Sequence, residues 1–269
     1  MSRQRKYAQQ SAARHVEIEV QKPRSHQHRG SDKNHDPRFS NDNIVTLKSY
    51  TQHRKTVSLI PKSLAQEEYV DLLLNPDKTI VFATGPAGTG KTMMAVLAAI
   101  KAYKEGVIQK IIITRPAVGV DDEKHGFLPG TLNEKMEPWT RPIFDVFKEY
   151  YSPREIALML EEETIEISPL AFLRGRTFKN SWIIFDEAQN SSTNQMKMVL
   201  TRIGDNSRMV ITGDLNQNDR KFSNENGLRD FLELLSRRNS KSISVVHFGN
   251  KDIMRHEIVR EVLELYGDL

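Results

Sequence analysis

Eight consecutive residues constrain this chain more than anything else in it: Gly85-Pro86-Ala87-Gly88-Thr89-Gly90-Lys91-Thr92, the pattern G-x-x-x-x-G-K-[ST]. The apolar run TIVFAT (79–84) precedes them and a helical pattern (91–104) follows, the context in which this spacing forms a phosphate-binding loop. Each residue type has a reason. Glycines let backbone N–H groups turn inward toward phosphates, at the positive end of the following helix. Lys91 supplies a point charge for the β- and γ-phosphates, and the Thr92 hydroxyl is placed to coordinate Mg²⁺. A strand-to-helix glycine turn ending by chance in Lys-Thr is the competing reading, and the flanking pattern disfavours it. The expectation is ATP bound on residues 85–92.

The rest of the chain agrees with the fold such a loop demands. Apolar runs at 79–84, 110–115, 164–168, 181–186, 208–213 and 242–248 read as strands, and KIIITR and SWIIFD are continuous enough for buried parallel ones. Helical patterns fall at 91–104, 132–150, 193–203, 226–238 and 252–266. This alternation predicts an α/β fold: a P-loop NTPase (RecA-like) parallel sheet with helices on both faces. Residues 1–55 differ in texture, being rich in Gln, Ser, His, Arg and Asn, and read as a disordered basic tail before a domain over 56–269; NIVTL (43–47) is a possible short strand within it. The net charge of +4 divides accordingly: residues 1–60 hold 12 Lys/Arg and 5 Asp/Glu, leaving 27 and 30 for the rest. The five tail histidines match no metal-ligand spacing. No cysteine is present, which suits a cytoplasmic protein, and no apolar run approaches the roughly 18 residues of a membrane span.

Two further strands end in polar groups. Trp182-Ile183-Ile184-Phe185-Asp186-Glu187-Ala188-Gln189 has the form of a Walker B element about ninety residues after the loop. Asp186 would join Thr92 around Mg²⁺, and Glu187 would orient or deprotonate the attacking water. Gln189 is a weaker candidate for coupling the site to a bound polymer. In Ile211-Thr212-Gly213-Asp214-Leu215-Asn216-Gln217, Asp214 and Gln217 would sense the γ-phosphate or the water, although Gly-Asp-Leu-Asn also suits a plain turn. Ligands of open parallel sheets bind beyond the carboxyl ends of strands, so all three clusters point to one crevice.

Together these residues resemble the PhoH-like family of P-loop ATPases. The resemblance runs through GPAGTGKT (85–92), TRPAV (114–118), GFLPG (126–130), EKMEPWTRPIFD (134–145), PLAFLRGRT (169–177), IIFDEAQN (183–190) and TGDLNQ (212–217). It covers about three quarters of the chain, and its specificity lies in TRPAV, GFLPG and LRGRT in that order. It implies nucleotide chemistry similar to superfamily 1 RNA helicases and a link to RNA metabolism. It also implies two residues that their surroundings alone do not mark. Gln66 matches a Q-motif-like glutamine that reads adenine, where the bare sequence suggests an exposed helical residue. Arg255 matches an arginine finger, where the bare sequence suggests a solvated helix face. The segment Gly119 to His125 departs from the family pattern in being more acidic and slightly longer.

The leading expectation is therefore an ATPase coupled to RNA or single-stranded nucleic acid. Arg115, Arg141, Arg174, Arg176 and Lys179, with Phe172, Phe178 and Trp139, are candidate contacts. LRGRTFKN also reads as a basic turn and Trp139 as a core residue. A small-molecule kinase and a nucleotide-switched binding module remain as alternatives. About 210 residues after the tail suffice for one RecA-like domain, so an arginine finger at Arg255 would have to reach a neighbouring subunit in a homo-oligomeric ring.

Overall fold

The computed structural model describes residues 55–116, 132–217, 226–254 and 257–266. The tail with NIVTL, the 119–125 departure, GFLPG and Arg255 lie outside the described residues.

All six apolar runs form strands: β1 (Ile80–Thr84), β2 (Lys110–Thr114), β3 (Ile165–Ile167), β4 (Ser181–Phe185), β5 (Arg208–Gly213) and β6 (Ile243–His247). They make one sheet in the order β3-β2-β4-β5-β1-β6, every pairing parallel. Alternate residues of each strand face opposite sides. Val81, Ala83, Ile111, Ile113 and Ile184 pack into the core beneath α1 (Leu64–Leu74), α2 (Lys91–Lys104), α3 (Leu132–Lys148) and α4 (Pro153–Glu161). Ile80, Phe82, Ile112, Ile183 and Phe185 pack into a second core beneath α5 (Thr193–Leu200) and α6 (Gly227–Ser236). Burial on both faces is why the strands read as unbroken apolar runs. A last helix, α7 (Glu257–Tyr266), closes the described chain. No helix among the described residues is long and apolar enough to cross a membrane.

The topology places the site. From β1 the chain passes through α2 to β2, beyond β5 and β4; from β5 it passes through α6 to β6, on the other side of β1. The connections therefore diverge above β1 and β5, and the divergence opens a crevice at their carboxyl ends.

Where the helices depart from expectation, local chemistry explains it. The helix α4, not foreseen, starts at a capping box: the Ser152 side chain accepts from Glu155 N, and Glu155 Oε2 accepts from Ser152 N at 2.7 Å. The helix α5 stops at Leu200 because Ile203 turns to bridge Phe178. The helix α7 starts at Glu257 instead of 252, since Asn250–Asp252 form a 3₁₀ turn closed by Gly249 N donating to Asp252 Oδ2 at 2.9 Å.

Candidate active site

The loop 85–90 leaves the end of β1 and enters α2 with Gly90 as its N-cap in the left-handed region (φ 82°). Gly85 is a glycine by necessity: at φ 138°, an added Cβ would stand 2.2 Å from the Phe248 carbonyl oxygen on the neighbouring β6 chain. Four contacts brace the loop. Gly85 N donates to Gly213 O (3.1 Å), Met254 N to Gly88 O (2.9 Å), Gln66 Nε2 to Thr89 O (3.0 Å) and Tyr69 Oη to Lys91 O (3.2 Å).

The Lys91 ammonium turns into the loop. It donates to Gly85 O (2.7 Å), Pro86 O (2.6 Å) and Thr89 Oγ1 (3.2 Å). Burial pushes its pKa below the ordinary lysine value, while the charges of Asp214, Asp186 and Glu187 pull the other way.

Opposite the lysine, Asp186 leaves the end of β4. Its Oδ1 accepts from the Thr92 hydroxyl at 2.8 Å and also from the Thr212 hydroxyl, while its N–H donates to Thr114 O at 2.9 Å. The P-loop threonine and the β4 aspartate, 94 residues apart, thus form an adjacent pair of hard oxygen ligands. Such a pair fits Mg²⁺, which is held through one or two side chains with substrate phosphates completing the shell. No cluster of three or more His, Asp or Glu side chains suited to a metal occurs among the described residues.

Glu187 adopts φ 52°, a left-handed conformation uncommon outside glycine, and heads a short 3₁₀ turn over Ala188–Asn190. Its carboxylate is held from two sides. Gln189 Nε2 donates to Oε2 at 2.6 Å, and Arg115 Nη2 stands 3.8 Å from Oε1. The Gln189 amide is fully buried, and its orientation is fixed because Oε1 accepts from Asp214 N at 3.0 Å. Gln189 therefore joins the Glu187 carboxylate to the loop after β5. A Cβ on Gly213 would stand 2.7 Å from Leu228 Cδ2 and 2.8 Å from Gln189 Oε1, so one of these side chains would have to shift if position 213 were not glycine. The Asp214 carboxylate is spent in part on its own turn, accepting from Asn216 N at 3.0 Å.

A pocket of about 270 Å³ collects these groups: Lys91, Thr92, Asp186, Glu187, Asp214 and Gln217 line it together with the loop backbone. The three polar strand ends converge as their shared polarity predicted.

The sequence profile of the PhoH-like protein family matches residues 58–267. The chain belongs to the PhoH-like family. A PhoH-like protein of Bacillus subtilis is 43% identical over 216 residues, covering 80% of this chain and 66% of that protein. One of Mycobacterium tuberculosis (strain H37Rv) is 40% identical over 224 residues, covering 83% of this chain and 62% of that protein. The chain thus spans a little over three fifths of the length of these relatives. Among solved structures, the SWI2/SNF2 ATPase core of Sulfolobus solfataricus in complex with dsDNA aligns at a TM-score of 0.41 and 15% identity, over 75% of this chain and 47% of that one.

Gln66, named through the resemblance, and the candidate nucleic-acid contacts fare unequally. Gln66 is buried, not exposed as its helical position suggested: Oε1 accepts from Lys62 N at 2.7 Å while Nε2 holds the loop at Thr89. Trp139 is 38% exposed rather than part of the core. Arg176 and Phe178 are occupied structurally, since the guanidinium is paired with Glu166 and lies 4.6 Å from the centre of the buried Phe178 ring. Lys179 pairs with Asp205 at 3.3 Å. Arg174 and Phe172 are exposed. Sequence reasoning gave Gln189 only a loose coupling role and passed over Tyr69 and Met254; a glutamine two residues after the Walker B glutamate was the one signal available.

Proposed function

We propose that this PhoH-like chain hydrolyses ATP with Mg²⁺ and couples turnover to RNA or another single-stranded nucleic acid. The observation that carries the reading is the Thr92–Asp186 contact, with Glu187 held beside it at the mouth of a loop that contains Lys91. Thr92 and Asp186 would hold the cation, which when bound supplies positive charge at the β- and γ-phosphate oxygens. Lys91 would exchange its neutral oxygen partners for phosphate oxygens, a stronger charge-assisted set. Glu187 would orient and deprotonate the attacking water. Its carboxylate is one-third exposed and so accessible to water, yet held in one place by Gln189 and Arg115. Asp214 and Gln217 border the same pocket, where they would respond to the γ-phosphate.

Glu187→Gln should bind a fluorescent ATP analogue with near wild-type affinity while turnover falls about a hundredfold, the scale for losing a general base. Affinity and turnover falling together would instead put Glu187 in the binding shell. Single-stranded RNA should raise wild-type turnover. ADP formation that requires a hydroxyl acceptor of low molecular weight would point to a kinase.

The described residues contain one sheet and thus one nucleotide face. On this reading, Arg255 serves as an arginine finger on a neighbouring copy, in a head-to-tail homo-oligomeric ring. Mixing Arg255→Ala and Lys91→Ala proteins, each inactive alone, should restore ATPase. Absence of any complementation, with the wild type monomeric under ATP and RNA, would remove the ring.

A further inference from the structure

Two arginines separated by one residue end in opposite circumstances. Arg176 is locked onto Glu166, with Nη2 donating to Oε2 at 2.8 Å. Arg174 is exposed, pairs with no described carboxylate, and lines a groove of about 600 Å³ with Leu170, Ala171, Asn194, Gln195 and Met198. Beside it, Phe172 is 60% exposed, although Leu170 and Leu173 of the same 3₁₀ turn (Leu170–Leu173) are buried. Those two anchors hold the turn in place, so the phenyl ring is presented to solvent on a fixed support.

The groove lies between two elements that start from strand carboxyl ends. The 3₁₀ turn follows β3 after Ser168 and Pro169, and α5 follows the Glu187–Asn190 turn that carries the Walker B glutamate.

We propose that this groove, together with the exposed Phe172 of the turn that forms one of its walls, binds a single-stranded nucleic acid, Phe172 stacking on a base outside the groove and Arg174 pairing with a phosphate. The proposal rests on the nucleic-acid-coupled reading above and gives it a location. The chemistry of the lining favours this occupant. The groove offers one guanidinium and two carboxamides with no carboxylate, and Lys197 stands exposed on the same helix, so the local charge suits a polyanion. An exposed aromatic beside a positive charge is the pairing that binds single strands with little sequence preference, because every base has a face to stack. Since α5 continues from the Glu187 turn, one wall of the groove is joined by chain to the ATP site.

The test uses the full chain and a fluorescein-labelled twelve-nucleotide oligouridylate, followed by anisotropy. Phe172→Ala should raise Kd about tenfold, the scale of one lost base–aromatic stack. Arg174→Ala should weaken binding and reduce the slope of log K against log salt by about 0.7, the value for one phosphate contact on a single strand. Neither residue touches the nucleotide pocket, so ATPase without RNA should stay at the wild-type level in both. Wild-type RNA affinity in both variants would overturn the groove while leaving the RNA-coupled reading intact. A wild type that hydrolyses ATP but binds no oligouridylate would overturn both. If Phe172→Ala instead abolished self-association in sedimentation, the surface would belong to a second copy of this chain.

Discussion

Lys91 and Arg208 are both buried or nearly so, and burial lowers the pKa of each, yet they stand at opposite ends of the sheet and do different work. Arg208 begins β5. Its guanidinium donates to the carbonyls of Leu72 (3.1 Å), Leu73 (2.6 Å) and Lys78 (2.8 Å), and it lies 5.1 Å from the centre of the Trp182 ring. Those carbonyls belong to the last turn of α1 and the loop after it, where a helix lacks internal partners and carries partial negative charge. Arg208 therefore satisfies a helix end permanently. Lys91 is surrounded by neutral oxygens and three acidic neighbours that raise its pKa without pairing with it. Both cations are held by carbonyls; what separates them is place, since Arg208 closes a helix end while Lys91 lines a pocket beside three carboxylates, where a ligand's oxygens can replace the loop's.

Substitution breaks the comparison in opposite directions. Lys91→Ala should abolish measurable ATP turnover, as expected when charge stabilisation is removed from a preorganised site. Its melting temperature should shift by no more than roughly 3 °C, the scale of about 1 kcal/mol for a domain of this size. Arg208→Met should do the reverse. Losing several hydrogen bonds from a buried charged group should cost about 2–4 kcal/mol and lower the melting temperature by roughly 5 °C or more, while turnover per folded molecule is retained. Thermal denaturation and ATPase on the same samples decide both. A Lys91→Ala protein that unfolds early, or an Arg208→Met protein that is stable but inactive, would erase the distinction.

A smaller effect sharpens the picture at the carboxyl edge. Gln189→Leu keeps the volume but removes the amide that joins Glu187 to Asp214 N. Turnover should fall about tenfold, in the range of a lost positioning contact, with little change in the KM for ATP. Gly213→Ala crowds the same amide oxygen and also Leu228 Cδ2 at 2.7 Å, so its loss should be partly shared with Gln189→Leu and partly its own. Fully additive losses would mean that Gly213→Ala acts through Leu228 alone and not through the Gln189 amide.

These residues also show how far the sequence could be read. The strands announced themselves because two-sided burial leaves unbroken apolar runs, and the 85–92 loop did so because a tight strand-to-helix turn with inward N–H groups restricts residue type and spacing. The α4 cap was legible as Ser152-Pro153-Arg154-Glu155 and was passed over. Arg208 and Gln189 were different. The partners of Arg208 lie 130–136 residues away and the Asp214 N–H that fixes Gln189 lies 25 away, all backbone groups whose positions depend on the finished sheet; only the Glu187 contact of Gln189 is local. Backbone groups carry no residue signature, so no spacing rule could have found Arg208 or the link from Gln189 to Asp214. Phe178 and Arg176 looked like a nucleic-acid surface for the same reason: Glu166, which claims the arginine, sits on β3, and only strand placement brings them together.

The smallest predicted effect concerns that Glu166 cluster. Its carboxylate accepts from Arg176 and stands 2.6 Å from Lys110, which also lies 3.2 Å from Glu163. Burial would raise the carboxyl pKa, but the hydrogen bonds and charges of Arg176 and Lys110 outweigh it and hold it below the ordinary glutamate value. A carboxylate with a depressed folded-state pKa binds protons more readily when unfolded. Its contribution is therefore fully present above the unfolded value of about 4.3, and is lost as pH falls from there through the lowered folded value. Glu166→Gln should reduce urea stability at pH 7 by about 1 kcal/mol, the upper end for a partly exposed ion pair. The same substitution should shrink the difference between pH 7 and pH 3, because the group that would titrate is gone. Equal losses at both pH values would show that Glu166 contributes through packing rather than charge. The ATPase, set at the other end of the comparison by Lys91 and Glu187, should not respond to this substitution at pH 7.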